Sequence, residues 1–232
     1  VTAGEICPVF AGVQQTGAAV PLMVDTLLQI LPSAADAVCR FEDGEEKAFD
    51  ENGENALFVF KTIADPFVGK LSYFRVLSGK IKNDTRLINN RTGAEERLSK
   101  IMWLKGGKQE DAGEIIAGDI GSVSKLGNVL TGDTLSASGK LAAAAVDFPA
   151  PTISVAVYPK AKGDEEKITQ AFSRLCEEDP TIKVYTDNET HEQILSALGE
   201  QHIDVIISRL KSKFGAEVEL KKPKIAYRET IR

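Results

Sequence analysis

Of the two histidines in the 232-residue chain, one falls in Gly199–Gly215, GEQHIDVIISRLKSKFG, two residues before an aspartate. His202 and Asp204 in that spacing could serve as a metal corner, an acid–base pair or a packed histidine at a helix start. A structural zinc centre needs several Cys or His ligands, and the chain has only Cys7, Cys39 and Cys176, far apart and without a Cys-x-x-Cys pair, beside its two histidines. A ligand-rich site would rest on carboxylates alone, so no metal is expected. His202 lies one helical turn before Ile206, so its ring can cover the apolar stripe of Ile203, Ile206, Ile207, Leu210 and Phe214 while a nitrogen reaches a polar partner. Glu200 sits at the positive helix start, Arg209, Lys211 and Lys213 toward the negative end, and Gly215 is the expected C-cap. The packed, hydrogen-bonded histidine is the preferred reading.

A second stretch with chemical potential is Gly127–Thr134, GNVLTGDT, which departs by one residue from the phosphate-binding pattern G-x-x-x-x-G-K-[ST]. That residue is the one that matters. The pattern needs a lysine to reach the outer phosphates, whereas Asp133 places a negative charge there. A turn opening the last strand of its region is the better reading, and no nucleotide affinity is expected of this chain. HExxH, G-x-S-x-G and calcium-loop patterns are also missing from the sequence, so no catalytic residue is assigned.

Charge is distributed unevenly around a net of −6. Residues 39–55 carry seven acids against two bases, and this acidic stretch with few apolar residues predicts a loop or linker. Residues 61–105 carry ten bases against four acids. A polyanion is one partner such a stretch could meet, although solvated strand faces give the same count. No apolar run approaches the roughly 20 residues that span a bilayer, and the start VTAGEICPVF lacks the flank of a secretory signal, so a soluble protein without a membrane partner is expected. The dispersed cysteines favour a reducing cytoplasm. The chain lacks an initiating Met and ends in YRETIR, inside what reads as a continuing segment, as an excised fragment would.

The elements that must position these residues follow from periodicity. ICPVF at 6–10 predicts a short buried strand, and AAVPLMVDTLLQILPSA a helix with Pro21 in its first turn and Pro32 at its end. One strand and one helix cannot bury themselves, so the first 35 or so residues resemble the tail of a larger domain. Residues 56–136 alternate short apolar runs with the turn-rich separators DPFVG, KIKND, NRTG and KGGKQEDAG, as an all-β barrel does. SASGKLAAAAVDFPAP reads as a linker. Residues 152–222 then change rhythm. A strand of alternating Ile153, Val155 and Val157 precedes a helix from Asp164 to Pro180 with Ile168, Ala171, Phe172, Leu175 and Cys176 on one face. TIKVYTD and HEQILSALG supply strands, the His202 segment a second helix, and AEVELKK a last strand. The βαββαβ order is the ferredoxin-like α+β plan, which implies no function by itself. Small acyl-phosphate hydrolases share it, but they need an arginine-bearing cradle after the first strand, and YPKAKGDEE has none.

With these regions in order, FKTIADPFVGKLSYFRVLSG, AGDIGSV, TGDTL, FPAPTISVAVYPK, EEDPTIKVYTD, GEQHIDVIISRLK and KPKIAYRETIR resemble translation elongation factor G, in that order and spacing, from about Cys7 to the end. The resemblance implies a multi-domain chain. Residues 1–35 would be the end of the GTPase domain, 36–55 the acidic linker or loop, 56–136 the β-barrel domain II, 137–151 a linker, 152–222 the ferredoxin-like domain III and 223–232 the start of domain IV. In this family the full protein binds GTP with Mg, docks on the ribosome and drives movement of tRNA and mRNA. The phosphate loop, the magnesium-binding switches and the guanine-reading NKxD motif would precede Val1, so this chain is expected to be no enzyme and to hold no cofactor itself. After Pro8-Val9-Phe10 the sequence Ala11-Gly12-Val13 departs from the family's Cys-Gly-Ser-Ala type loop and is shorter.

The family form G-E-L-H-L-D is met here by Gly199, Glu200, Gln201, His202, Ile203 and Asp204, with Gln201 in place of Leu. The resemblance makes Glu200, Gln201 and His202 candidates for interdomain or ribosome-facing contacts. It also makes Lys70, Arg75, Lys80, Lys82 and Arg97 candidate rRNA contacts, since basic side chains on phosphates supply sequence-independent affinity. Expected partners are small-subunit rRNA and ribosomal proteins, with tRNA and mRNA met indirectly, by a cytoplasmic monomer. A specialised paralogue acting in ribosome protection or recycling is the alternative. A stand-alone protein-binding module is a remote third, against which the orphan strand and helix at the front count.

Overall fold

In the computed structural model, residues 1, 4–65, 69–106, 108–161, 163–227 and 229 are described. Residues 66–68 of the DPFVG turn, Lys162 of the YPKAKGDEE loop and residues 228 and 230–232 of the YRETIR end lie outside them.

The front of the chain differs from its sequence-based expectation. No strand forms over 6–10, and Ile6 and Val9 are 65% and 91% exposed. An extended run needs a neighbouring strand to take its backbone hydrogen bonds, and none lies beside it among the described residues. Helix α1 (Val20–Ile30) does form, with Pro21 in its first turn, but buries none of its residues. A one-turn 3-10 helix at Ala34–Asp36 follows, capped by mutual Ser33 and Asp36 hydrogen bonds. It lies so close to Gly118 that a Cβ there would meet the Cβ of Ala34 at 2.5 Å.

The acidic stretch expected to be a loop or linker contains a hairpin, β1 (Val38–Arg40) paired with β2 (Glu46–Ala48). Its acids occupy exposed positions and the turn, while Phe41 packs with Ala56, Leu77 and Ala143 against the next region. A bridge from Phe41 to Ala143 ties part of the 137–151 stretch to the hairpin as well.

Ten strands follow among the described residues: β3 (Ala56–Asp65), β4 (Gly69–Ser78), β5 (Lys80–Lys82), β6 (Thr85–Asn89), β7 (Glu95–Leu98), β8 (Ile101–Lys105), β9 (Lys108–Asp111), β10 (Glu114–Ile116), β11 (Ile120–Ser124) and β12 (Thr134–Ser136). Eight of them form one antiparallel sheet in the order β7-β6-β12-β3-β4-β11-β8-β9, and β5 pairs with β10. The sheet curls around a single core that includes Leu57, Phe74, Val76, Ile81, Leu87, Leu98, Ile101, Val123 and Leu135. A register shift between Val59 and Lys61 bulges the chain at Phe60, bending β3 as a curled sheet requires. Strands β5 and β9 lie inside separators that alternation marks as turns. Every residue of β9 is exposed, so no apolar period announces it.

The last unit contains β13 (Ile153–Pro159), α2 (Glu165–Glu178), β14 (Lys183–Thr186), β15 (Gln193–Ala197), α3 (Glu200–Phe214) and β16 (Val218–Lys221). Its sheet has the order β14-β15-β13-β16, antiparallel throughout, the ferredoxin-like arrangement. Ile168, Ala171, Phe172 and Leu175 of α2 and Ile203, Ile206 and Leu210 of α3 share one core with Val157, Leu195 and Val218 of the sheet. Gly215 ends α3 in the left-handed region, at φ 61°, where glycine carries no Cβ penalty.

Candidate functional site

Helix α2 ends in two glutamates, followed by Asp179 and Pro180. Carboxylates at a helix C-terminus face the negative end of the helix dipole, an arrangement that local electrostatics opposes. Each of the three is held by a partner from elsewhere. Glu177 pairs with Lys70 of β4 at 3.3 Å. Glu178 Oε1 accepts the backbone N–H of Ala64 in β3 at 2.7 Å and also Lys213 Nζ in the last turn of α3 at 2.8 Å. Its side chain is only 6% exposed. Asp179 Oδ1 accepts the N–H and hydroxyl of Thr181 at 2.9 and 2.5 Å, and Oδ2 meets His202 Nε2 at 3.1 Å.

The His202 ring is fixed from both sides. Leu198 N–H donates to Nδ1 at 3.3 Å, which assigns the ring proton to Nε2 and makes that nitrogen the donor to Asp179. Burial alone would push the Asp179 carboxyl up, but the Thr181 and His202 bonds outweigh it and hold the group below the ordinary carboxylate range. Three consecutive carboxylates therefore reach the curled sheet and both ends of α3. Asp204, two residues from His202, is exposed and does not share this network.

The candidate cations of the barrel are dispersed and engaged. Lys80 pairs with Glu51 at 3.2 Å, Lys82 with Glu114 at 3.1 Å and Arg97 with Asp84 at 2.7 Å. Arg75 stacks on the Phe49 ring at 4.3 Å and donates to the Gly118 carbonyl. Lys70, with 17% of its side chain exposed, faces α2. Glu200 and Gln201 are exposed on the first turn of α3. The structure thus unites Lys70 and His202 through the end of α2, and leaves Lys80, Lys82 and Arg97 at separate surface pairs.

Glu177, Glu178 and Asp179 belong to no chemical motif in the sequence, and the one signal they carry is three acids at the wrong end of a helix. Asp133 has a role from sequence only by exclusion. In the structure Asp133 is buried and accepts Arg91 Nε at 2.7 Å, Arg91 Nη2 at 2.9 Å, Asn89 Nδ2 at 2.8 Å and Leu130 N–H at 2.9 Å. Burial raises its carboxyl, yet these donors together bring it below the ordinary range. Among the described residues no group of three His, Cys, Asp or Glu side chains is gathered to hold a metal ion, and no helix is long and apolar enough to cross a membrane.

Residues 54–138 match the family profile described as Elongation factor G domain 2, and residues 148–222 that of Elongation Factor G, domain III. A solved structure from Thermus thermophilus, described as the crystal structure of ttk003000868, superposes with a TM-score of 0.72 at 30% sequence identity. The match covers 92% of this chain and 31% of the Thermus chain, so this chain spans less than a third of that protein's length.

Proposed function

We propose, for a chain whose matched domains place it in the elongation factor G family, that it serves the docking and coupling of a ribosome-bound GTPase that moves tRNA and mRNA, rather than GTP hydrolysis. The observation that carries this reading is the end of α2. Glu178 bonds the barrel backbone and α3 at once, and Asp179 bonds the entry of α3 through His202. A displacement of the exposed α3 entry, at Glu200 and Gln201, is thereby passed to α2 and on to the barrel. Chains of packed and hydrogen-bonded side chains of this kind are one physical carrier of coupling between sites. GTP and Mg belong with the family's GTPase domain. Residues 127–134 do not fit a phosphate, because they lack the lysine and Asp133 is already committed to Arg91.

Small-subunit rRNA is the polyanion proposed for the barrel, with ribosomal proteins beside it, in the cytoplasm. Among the candidate cations, Lys82 and Arg97 suit it best. Their pairs are exposed, so phosphate can replace carboxylate at little cost, whereas Lys70 and Arg75 are bound up in contacts within the fold. Co-sedimentation with small subunits over a salt series tests this. Binding should weaken with salt, and the Lys82→Glu, Arg97→Glu double variant should flatten the log–log slope by about 2, roughly one per lost phosphate contact. An unchanged slope would remove these two residues from the interface.

A further inference from the structure

The curled sheet has an open seam. Strands β8 and β11 pair only at Met102–Ser122 and Ile101–Val123, so Trp103, Leu104 and Lys105 run on without β11 across from them. A cavity of about 590 Å³ occupies the gap, lined by Tyr73, Trp103, Leu104, Lys105, Asp119 and Ile120, with Gly121 beside them. Its walls are aromatic and apolar. Ile120 is half exposed, and the Tyr73 ring is tilted against exposed Phe60 with centroids 6.4 Å apart. The Trp103 Nε1–H is buried and has no partner among the described residues.

Polar groups at this cavity are few and of defined kinds. Asp119 Oδ1 accepts its neighbour's Ile120 N–H at 2.7 Å, which orients the carboxylate, while Oδ2 has no partner among the described residues. Lys61 Nζ lies 6.0 Å from the centre of the Tyr73 ring and forms no ion pair among the described residues. On the opposite side, Lys105 lines the cavity, its ammonium in an exposed pair with Glu110 at 2.8 Å whose carboxylate a phosphate can replace at little cost, and exposed Lys108 stands across from it in the strand register. Flat apolar walls, one oriented acceptor and flanking cations are the chemistry of a stacked base on a phosphate backbone. We infer that the β8–β11 seam takes an unpaired, amino-bearing nucleobase of RNA. The base lies against Tyr73, Trp103 and Ile120, its exocyclic amine donates to Asp119, and its flanking phosphates meet Lys61 and Lys105. The cations alone would accept any polyanion, whereas the acceptor selects adenine, cytosine or guanine over uracil, which lacks that amine.

This inference rests on the RNA-docking proposal for its choice of macromolecule, but the site can be tested without ribosomes. Trp103 is the only tryptophan of the chain, so its emission reports on the seam alone. The 232-residue chain is titrated with the RNA hexamers A6 and U6, with tripolyphosphate and with acetyl-Phe-Val-Phe-amide. Saturable change with A6, at least about tenfold tighter than with U6, is expected, a difference within the usual worth of one well-made base contact. Ile120→Asp should weaken A6 at least about tenfold. Asp119→Asn keeps the bond to Ile120 N–H and should bring A6 and U6 within about threefold of each other. Far-UV circular dichroism verifies that both variants fold, and both positions are exposed. No change with A6, equal response to tripolyphosphate, preference for the peptide, or indifference to both substitutions would each overturn the inference. Loss of A6 binding together with intact small-subunit co-sedimentation would sink the seam alone. The reverse result would sink the ribosome-docking proposal and leave the base site standing.

Discussion

The basic stretch of the barrel and the acidic end of α2 are both charge clusters, and they behave in opposite ways. In the barrel, Lys80, Lys82 and Arg97 each meet one exposed acid nearby, and the local excess of cations is spread over separate surface pairs. At α2, Glu177, Glu178 and Asp179 are adjacent in sequence, oppose the helix dipole and reach β3, β4 and the two ends of α3. The larger cluster is thus composed of separate exposed pairs, and the smaller one of adjacent acids that tie α2 to the barrel and to α3. Number of charges is a poor guide to structural consequence. Burial of the charged group is a better one.

The sharpest way to break this contrast is Glu178→Ala. It strands the Ala64 N–H and frees Lys213, and should cost about 2–3 kcal/mol in urea unfolding. His202→Ala comes next. It removes the Asp179 partner and an apolar cover at the α3 entry, for about 1–2 kcal/mol, and added zinc should leave the melting temperature of the parent chain unchanged.

Acid should act on the same network with a defined sign. Because the Asp179 carboxyl is held below its usual range, its contribution is fully present above the unfolded-state value of about 3.9 and is lost as pH falls through the lower folded value. The stability gap between the parent chain and Asp179→Asn should therefore shrink below about pH 4, and a gap that widened there would reverse the assignment. The smallest effects belong to the barrel. Lys82→Ala and Arg97→Ala should each change stability by no more than about 0.5 kcal/mol, as exposed pairs do. A loss above about 2 kcal/mol at either, well beyond the range of exposed pairs, would erase the contrast.

Much of the architecture was legible because it rests on local pattern. Alternation marked the main strands between Ala56 and Ser136, and the 3.6-residue period of Ile168, Ala171, Phe172 and Leu175 marked α2. Pattern fails where it carries no apolar period, as in β9, or where an apolar run has no neighbour, as at 6–10. The acidic hairpin was hidden by its composition, since two buried or half-buried phenylalanines, Phe41 and Phe49, tie it down among seven acids.

The site was less legible. That a nitrogen of His202 needs a polar partner follows from residue type. That this partner is Asp179, 23 residues earlier, and not Asp204 is a tertiary fact. Glu178 was further out of reach, because its barrel partner is a backbone amide 114 residues away, and an amide has no residue-type signature.

Hydrogen exchange at the Ala64 amide addresses the coupling of α2 to the barrel without intermediaries. In the parent chain this amide should be protected, and in Glu178→Ala it should exchange much faster while core amides such as those of Val59 and Phe74 keep their rates. Equal exchange at Ala64 in the two proteins would mean that Glu178 does not join the two domains.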